Sequence, residues 1–273
     1  MNKKTPKTTS SPDFFILGPE KTGTSSMYAS IKEHPDIFAP ERKELHFFDN
    51  FANYKKGMGW YNDFFIGQSG VKFEATPNYF AHPVARSRMR RKSIGGSKPV
   101  KFVIILRDPF DRFSSHFCHF RRYNHIVSQR PEKIKEFSEG PNKGTFSSDW
   151  KGEKRDLEAI LQAKNREHLF SCGEYITHLK NWYALFGEKN FLLVDYKELV
   201  LDYNLVCNNI FDFVGVPPFE VKKYNMNTDI HWEEESGLEI NITDAQETAI
   251  RDYYRPYNEA LFEYIGKDLG WNE

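Results

Sequence analysis

Three groups of residues have the types and spacing to do chemistry. The run Gly18-Pro19-Glu20-Lys21-Thr22-Gly23-Thr24-Ser25-Ser26 combines two glycines, a lysine and several small hydroxyls. Glycine at 18 and 23 lets the backbone approach an anion closely, and Lys21 supplies a full charge. The amides of Gly23, Thr24, Ser25 and Ser26 would open a helix whose positive end faces that anion, and Thr22 adds a hydroxyl. Further along, Arg107 and Ser115 stand eight residues apart, and a guanidinium's planar fork grips phosphate oxygens in pairs. The third group lies in Glu41-Arg42-Lys43-Glu44-Leu45-His46-Phe47-Phe48-Asp49. Here Glu44 and His46 fall two apart, on one side of an extended segment. Phe47 and Phe48 beside them would dry the site and raise a carboxylate's pKa. Cations that neutralise a departing phosphate and a base that takes an acceptor's proton are the equipment of group transfer.

Elements must position these residues. Phe14-Phe15-Ile16-Leu17 is a short apolar run ending at Gly18, the pattern of a strand buried on both faces. A helix is expected over 24–33, stopped by His34-Pro35. Lys101 to Leu106 reads as a second strand running into Arg107. Asp108 then caps a helix with Pro109 in its first turn, reaching about Tyr123. Arg112 on that helix either lines the crevice or pairs with Asp108 one turn back. Strands are also expected at 71–74 and 190–196, and helices at 78–92, 153–166, 173–186, 200–214 and 243–265. A Pro-, Gly- and Ser-rich surface excursion covers 128–150. Tyr175, His178 and Trp182 recur at helical spacing, which predicts core packing. Arg86 to Lys92 reads as a solvated helix face. Strands alternating with helices predict an α/β fold: a single P-loop-like domain with a central parallel sheet flanked by helices, spanning 13–273 behind a flexible N-terminal tail, 1–12.

A nucleotide P-loop, G-x-x-x-x-G-K-[ST], places its lysine after the second glycine. Here Gly18 and Gly23 keep the spacing, but Thr24 takes the lysine's place and Lys21 lies mid-loop. That displacement disfavours ATP or GTP hydrolysis. It resembles the 5′-phosphosulfate loop of the sulfotransferases that use 3′-phosphoadenosine 5′-phosphosulfate (PAPS). Arg107 and Ser115 resemble the same family's 3′-phosphate motif. The segment from Glu44, with Lys56-Gly57-Met58-Gly59-Trp60-Tyr61, resembles the heparan sulfate sulfotransferases, whose catalytic glutamate precedes such a Phe-Phe stretch. Glu74 to Phe80, Gly173 to Trp182 and Phe191 to Tyr196 extend the likeness over most of the chain from Phe14 to about Val214.

The resemblance implies an enzyme that moves a sulfuryl group from PAPS to a hydroxyl or amine of a carbohydrate or small natural-product acceptor. The product would be adenosine 3′,5′-bisphosphate, and no metal is required. It implies that Lys21, Thr22, Gly23, Thr24, Ser25, Ser26, Arg107 and Ser115 hold the donor. Lys21 would also stabilise the leaving phosphate oxygen. Glu44 takes the place of the general base, with His46 as the alternative base or as an orienter of the acceptor. Two departures bear on the acceptor. Ala75 stands where heparan-modifying relatives carry a lysine, and no cysteine follows Cys207 to enclose their late Lys-Gly-Arg loop. The ending Tyr253-Tyr254-Arg255-Pro256-Tyr257-Asn258 is closer to bacterial-type sulfotransferases. Two other readings stay open, a P-loop small-molecule kinase or nucleotidase and a non-catalytic nucleotide-binding module.

Bulk properties agree with a local anion site. The 273 residues carry 38 Lys plus Arg against 38 Asp plus Glu, so no global field steers the chain toward nucleic acid. Cys118, Cys172 and Cys207 are odd in number and unpaired in spacing, which fits a reducing compartment. No apolar run approaches a membrane span and the N-terminus lacks a signal-peptide core, so a cytoplasmic location is expected. The sequence specifies the donor more closely than the acceptor, and assigns neither regiochemistry nor oligomeric state.

Overall fold

The computed structural model describes residues 11–92, 94, 99–129, 157, 168–224 and 241–272, with side chains omitted over 122–129. Five parallel strands form one sheet: β1 (Phe14–Gly18), β2 (Ile37–Phe38), β3 (Val71–Ala75), β4 (Lys101–Leu106) and β5 (Phe191–Asp195), in the order β2-β3-β1-β4-β5. The helices are α1 (Thr24–Ile31), α2 (Phe51–Lys55), α3 (Gly57–Asn62), α4 (Pro83–Arg91), α5 (Pro109–Gln129), α6 (His168–Ser171), α7 (Tyr175–Phe186), α8 (Tyr196–Leu201), α9 (Tyr203–Val214) and α10 (Asp244–Ile265). The α/β reading holds, with a parallel sheet covered on both faces.

All five residues of β1 are buried, and the pleat divides them between two cores. Phe15 and Leu17 join Phe47, Phe48, Phe102, Ile104 and Trp182 on one face. Phe14 and Ile16 join Met27, Phe73, Val103, Ile105 and Phe211 on the other. Each such side chain contributes about 1.5–3 kcal/mol on burial, so the central strand is anchored from both sides. Tyr175, His178 and Trp182 are buried on α7, and Trp182 Nε1 donates to the Phe80 carbonyl at 2.9 Å. A third cluster of Phe113, Leu169, Phe170, Ile250 and Tyr254 joins α5, α6 and α10.

Several boundaries differ from the sequence expectations. The helix expected over 78–92 is a 3-10 turn (Pro77–Tyr79) followed by α4. Pro83 forces His82 into an extended conformation, φ −78° and ψ 112°, and so restarts the helix. The helix expected over 200–214 is two, α8 and α9, broken at Asp202. Its carboxylate accepts from Leu205 N at 2.9 Å and caps α9. The helix after Pro109 continues to Gln129. The rest of the surface excursion, most of 153–166 and the tail 1–10 lie outside the described residues. Strand β2, two residues long, is set by pairing of Ile37 with Val71 and Phe38 with Lys72 rather than by any local pattern.

Register aligns the strand ends. Ile16 faces Ala75 on one side of β1, and Gly18 faces Ile104 on the other after a shift following Ile16. The carboxyl ends of β3, β1 and β4 therefore lie side by side, where parallel sheets place ligands.

Candidate functional site

The loop leaving β1 is built on left-handed backbone at Gly18 (φ 101°), Lys21 (φ 67°) and Gly23 (φ 87°). A Cβ at Gly18 would lie 2.6 Å from the Pro77 carbonyl oxygen. Gly18→Ala is accordingly expected to cost about 4 kcal/mol or more in urea unfolding, through clash and strain together. A loss below about 1 kcal/mol would mean that Pro77 moves aside easily. Gly23 opens α1, which has no acidic residue in its first turn to oppose its positive end. Thr22, fully buried, donates its hydroxyl to the Pro19 carbonyl at 2.7 Å and braces the loop from inside. Thr24 is also buried, while Lys21, Ser25 and Ser26 are half-buried.

Arg107 meets this loop directly. Its Nη1 donates to the Lys21 carbonyl at 3.0 Å, and its guanidinium lies 4.8 Å from the Tyr196 ring centroid. Tyr175 Oη donates to the Arg107 carbonyl at 2.8 Å. Arg107 Nε is buried and without a hydrogen-bond partner among the described residues. Asp108 caps α5 by accepting from Phe110 N at 2.8 Å, as expected. Ser115 is half-buried on α5, and among the described residues no hydrogen bond links its side chain to Arg107 or the loop.

Arg112 does not pair with Asp108. It is fully buried, held by the His116 Nδ1 at 3.0 Å and by the Leu169 carbonyl. Asp108 instead pairs with Arg251 of α10 at 3.2 Å. Burial of Arg112 among Phe113, Leu169 and Phe170 leaves carbonyl and imidazole acceptors as its satisfiers.

Glu44 and His46 are not on an extended segment. Both adopt positive φ, 61° and 48°, which costs of order 1–3 kcal/mol each and persists only where the surroundings impose it. Those surroundings are visible. Glu44 N donates to the Ala75 carbonyl at 3.1 Å, at the end of β3. Asn53 Nδ2 donates to the carbonyls of Leu45 and His46, both at 3.2 Å. Arg88 Nη1 donates to the Phe48 carbonyl at 2.7 Å, so this residue of the basic α4 face is used structurally, while Arg90, Arg91 and Lys92 are exposed. Tyr79 Oη accepts from Phe47 N at 2.9 Å and donates to Glu74 Oε1 at 2.9 Å. Glu74 also receives the hydroxyls of Thr76, at 2.6 Å, and Tyr61. Burial pushes its pKa up, with these bonds opposing.

The charges at Glu44 and His46 run opposite to the sequence expectation. Burial alone would raise the Glu44 pKa, but adjacent Lys43, ion-paired to Oε1, and His46 bring it down to about 2. Burial alone would lower that of His46. Bonds and charges from Asp49 and Glu44 instead raise it from 6.5 to about 10. His46 Nδ1 lies 2.7 Å from Asp49 Oδ2, which also accepts from Asn78 Nδ2 at 2.7 Å, and Nε2 lies 3.6 Å from Glu44 Oε2. Glu44 is thus an ionised carboxylate beside an imidazolium. Asp49 was not anticipated, although its position three residues beyond His46 was a signal.

These shifts set a pH dependence. The His46 pKa is raised on folding, so its contribution is complete below 6.5 and is lost as pH rises toward 10. The Glu44 pKa is depressed, so its contribution is complete above 4.5 and is lost as pH falls toward 2. Between pH 6.5 and 10 His46 makes stability fall by up to about 1.4 kcal/mol per pH unit. Denaturant melts of the wild type and His46→Gln across this window check it, because the substitution should flatten that slope.

Glu20, inside the loop, turns to α5 and α6, where His116, His168 and Cys172 surround it. Tyr196 beneath Arg107 and the Glu20 cluster carried no local sequence signal, since their partners are distant in the chain.

The sulfotransferase domain model matches residues 11–249. The chain is 28% identical over 246 residues to the mouse (Mus musculus) bifunctional heparan sulfate N-deacetylase/N-sulfotransferase 4, covering 87% of this chain and 26% of that protein. It is 26% identical over 284 residues to the mouse heparan sulfate glucosamine 3-O-sulfotransferase 3A1, covering 96% of this chain and 64% of that protein. The chain thus spans about a quarter of the first relative and under two thirds of the second. A sulfotransferase from Alicyclobacillus acidocaldarius shares the fold, with a TM-score of 0.67 and 23% identity over 96% of this chain and 99% of that one. With its loop, strand ends and domain match in agreement, the chain belongs to the sulfotransferase domain family.

Proposed function

We propose that this chain transfers a sulfuryl group from PAPS to a hydroxyl or amine of a carbohydrate or small natural-product acceptor. The observation that carries the reading is the 3.0 Å bond from Arg107 to the Lys21 carbonyl. Two anion-gripping elements predicted independently, at the ends of β1 and β4, meet there. The residues present fit a bisphosphorylated nucleotide. Arg107 Nε has no protein partner among the described residues, and α1 opens at the same end of the sheet with no acidic residue in its first turn.

PAPS supplies an electrophilic sulfur with a phosphate as leaving group. Lys21 and the amides of Gly23 to Ser26 hold the phosphosulfate end, and Lys21 neutralises charge as the sulfur–oxygen bond to phosphate breaks. Arg107 and Ser115 hold the 3′-phosphate. Glu44, ionised throughout the physiological range, accepts the acceptor's proton as the new bond to sulfur forms. His46 already carries its proton, so it orients Glu44 and the acceptor rather than acting as the base. The named heparan sulfate relatives motivate amino sugars and glycans as first acceptors. Ala75, which offers no cation at its position, widens the choice to less anionic ones.

An acceptor panel of amino sugars, glycans, phenols and hydroxylated natural products, incubated with radiolabelled PAPS, tests the reading. Label should move to at least one class, with stoichiometric release of adenosine 3′,5′-bisphosphate. Binding of the bisphosphate without transfer to any acceptor would favour a nucleotide-binding module, and failure to bind it would remove the donor assignment.

A further inference from the structure

Glu20 is an unexpected occupant of an anion-binding loop, one residue before Lys21. Its Oε2 lies 3.0 Å from His168 Nε2 and 3.9 Å from Cys172 Sγ, while Sγ lies 3.3 Å from the same His168 Nε2. His168 and Cys172, four residues apart at α6, present their donor atoms on one side of the turn. Sγ also lies 3.6 Å from His168 Nδ1, so the thiol sits against the edge of the ring that carries both nitrogens, and Glu20, His168 and Cys172 each bring one donor atom into the same small space. Donor atoms gathered around one point are how ligands surround a cation. In a tetrahedral site with bonds of about 2.0–2.3 Å, neighbouring donors stand about 3.3–3.6 Å apart. The separations of 3.0, 3.3 and 3.9 Å bracket that spacing.

His116, with Nε2 at 3.8 Å from Glu20 Oε2, is not a fourth ligand. Arg112 has only donors to offer, and its Nη1 lies 3.0 Å from His116 Nδ1. Nδ1 therefore accepts, and Nε2 carries the proton toward Glu20. At 3.8 Å this contact is longer than a hydrogen bond, so His116 only flanks the carboxylate, and Arg112 is in turn fixed by the Leu169 carbonyl.

We propose that Glu20, His168 and Cys172 form a zinc site that ties the phosphate loop to α6, with the fourth position open to water. A thiolate, an imidazole and a carboxylate together suit zinc better than magnesium or calcium, which take oxygen ligands. Cys172 is buried, whereas the His168 side chain is 39% exposed and provides the entry side. The site takes no part in the transfer step, so it stands or falls apart from the donor assignment.

The test uses the full chain without an affinity tag, stripped with a chelator and then titrated with Zn²⁺ or Co²⁺. One equivalent of zinc should bind at micromolar metal, and Co²⁺ should give a thiolate charge-transfer band in the near ultraviolet. Cys172→Ser should abolish the band. That variant, His168→Ala and Glu20→Gln should each weaken zinc binding by about 100-fold or more. Cys118→Ser should leave both readouts unchanged. No stoichiometric binding to the wild type, Co²⁺ uptake without the band, or wild-type zinc affinity in Cys172→Ser would overturn the proposal. The wild-type stoichiometry and spectrum decide the matter even where a variant folds poorly.

Discussion

Glu44→Gln is expected to reduce turnover about 10²–10⁴-fold, the range for loss of a positioned general base, while leaving affinity for adenosine 3′,5′-bisphosphate unchanged. The substitution keeps side-chain volume and removes only the charge and the proton-accepting oxygen. Glu44 is held by backbone at the end of β3, through the Ala75 carbonyl, rather than by the loop between β1 and α1, so nucleotide binding there should not register its loss. Its depressed pKa, about 2, means that activity should not fall on the acid side until well below the usual carboxylate range. Calorimetry with the bisphosphate and single-turnover label transfer separate the two effects. Wild-type turnover in Glu44→Gln would move the base to another group. Loss of bisphosphate affinity would mean that Glu44 shapes the phosphate loop instead. The His46→Gln pair sharpens the reading. If His46 orients rather than abstracts, its loss should lower turnover less than that of Glu44 and should shift the pH profile, because Glu44 loses the cation at 3.6 Å that helps hold its pKa down.

Arg107→Ala is expected to weaken bisphosphate binding by about 2–4 kcal/mol, or about 30- to 1000-fold, the usual cost of removing one side of a partly buried, charge-assisted contact. Arg107→Lys should recover little of this, because an ammonium cannot reproduce the fork that bonds the Lys21 carbonyl and faces Tyr196 at once. Part of the loss would come from the loop, which loses a strut when the guanidinium goes. Lys21→Ala removes the loop's charge but keeps the carbonyl that Arg107 holds, so the double variant measures the coupling between the two positions. Strictly additive losses would indicate two independent anion contacts. Unchanged affinity in both single variants would remove the cleft assignment altogether.

The turn from β1 into α1 and the Arg107 turn were legible because their determinants are local. An apolar run into Gly18, small residues opening α1, and Asp108-Pro109 starting α5 each act within a few residues, and strand and helix propensities respond to that range. Core placement of Trp182 and Tyr175 was legible for the same reason, through helical spacing. Boundaries failed where a single residue competes with periodicity, as at Pro83 and Asp202.

The sequence by itself therefore determined an α/β chain with a glycine- and hydroxyl-rich first loop carrying Lys21, a second cation at a strand end and an acidic segment between them. Tertiary structure alone decided that β3, β1 and β4 lie adjacent, so that Glu44, the loop and Arg107 share one end of the sheet. It also decided that Arg112 turns inward to Leu169 while Asp108 finds Arg251 across 143 residues. The protonation states of Glu44 and His46 belong to the same class. Two phenylalanines beside a carboxylate predict a raised pKa, yet Lys43 and His46, the latter held charged with the help of Asp49 and all arranged by left-handed backbone at residues 44 and 46, reverse the sign. A pKa sums over every charge and dipole within several ångströms, whichever part of the chain supplies it, and that sum exists only once the chain has folded.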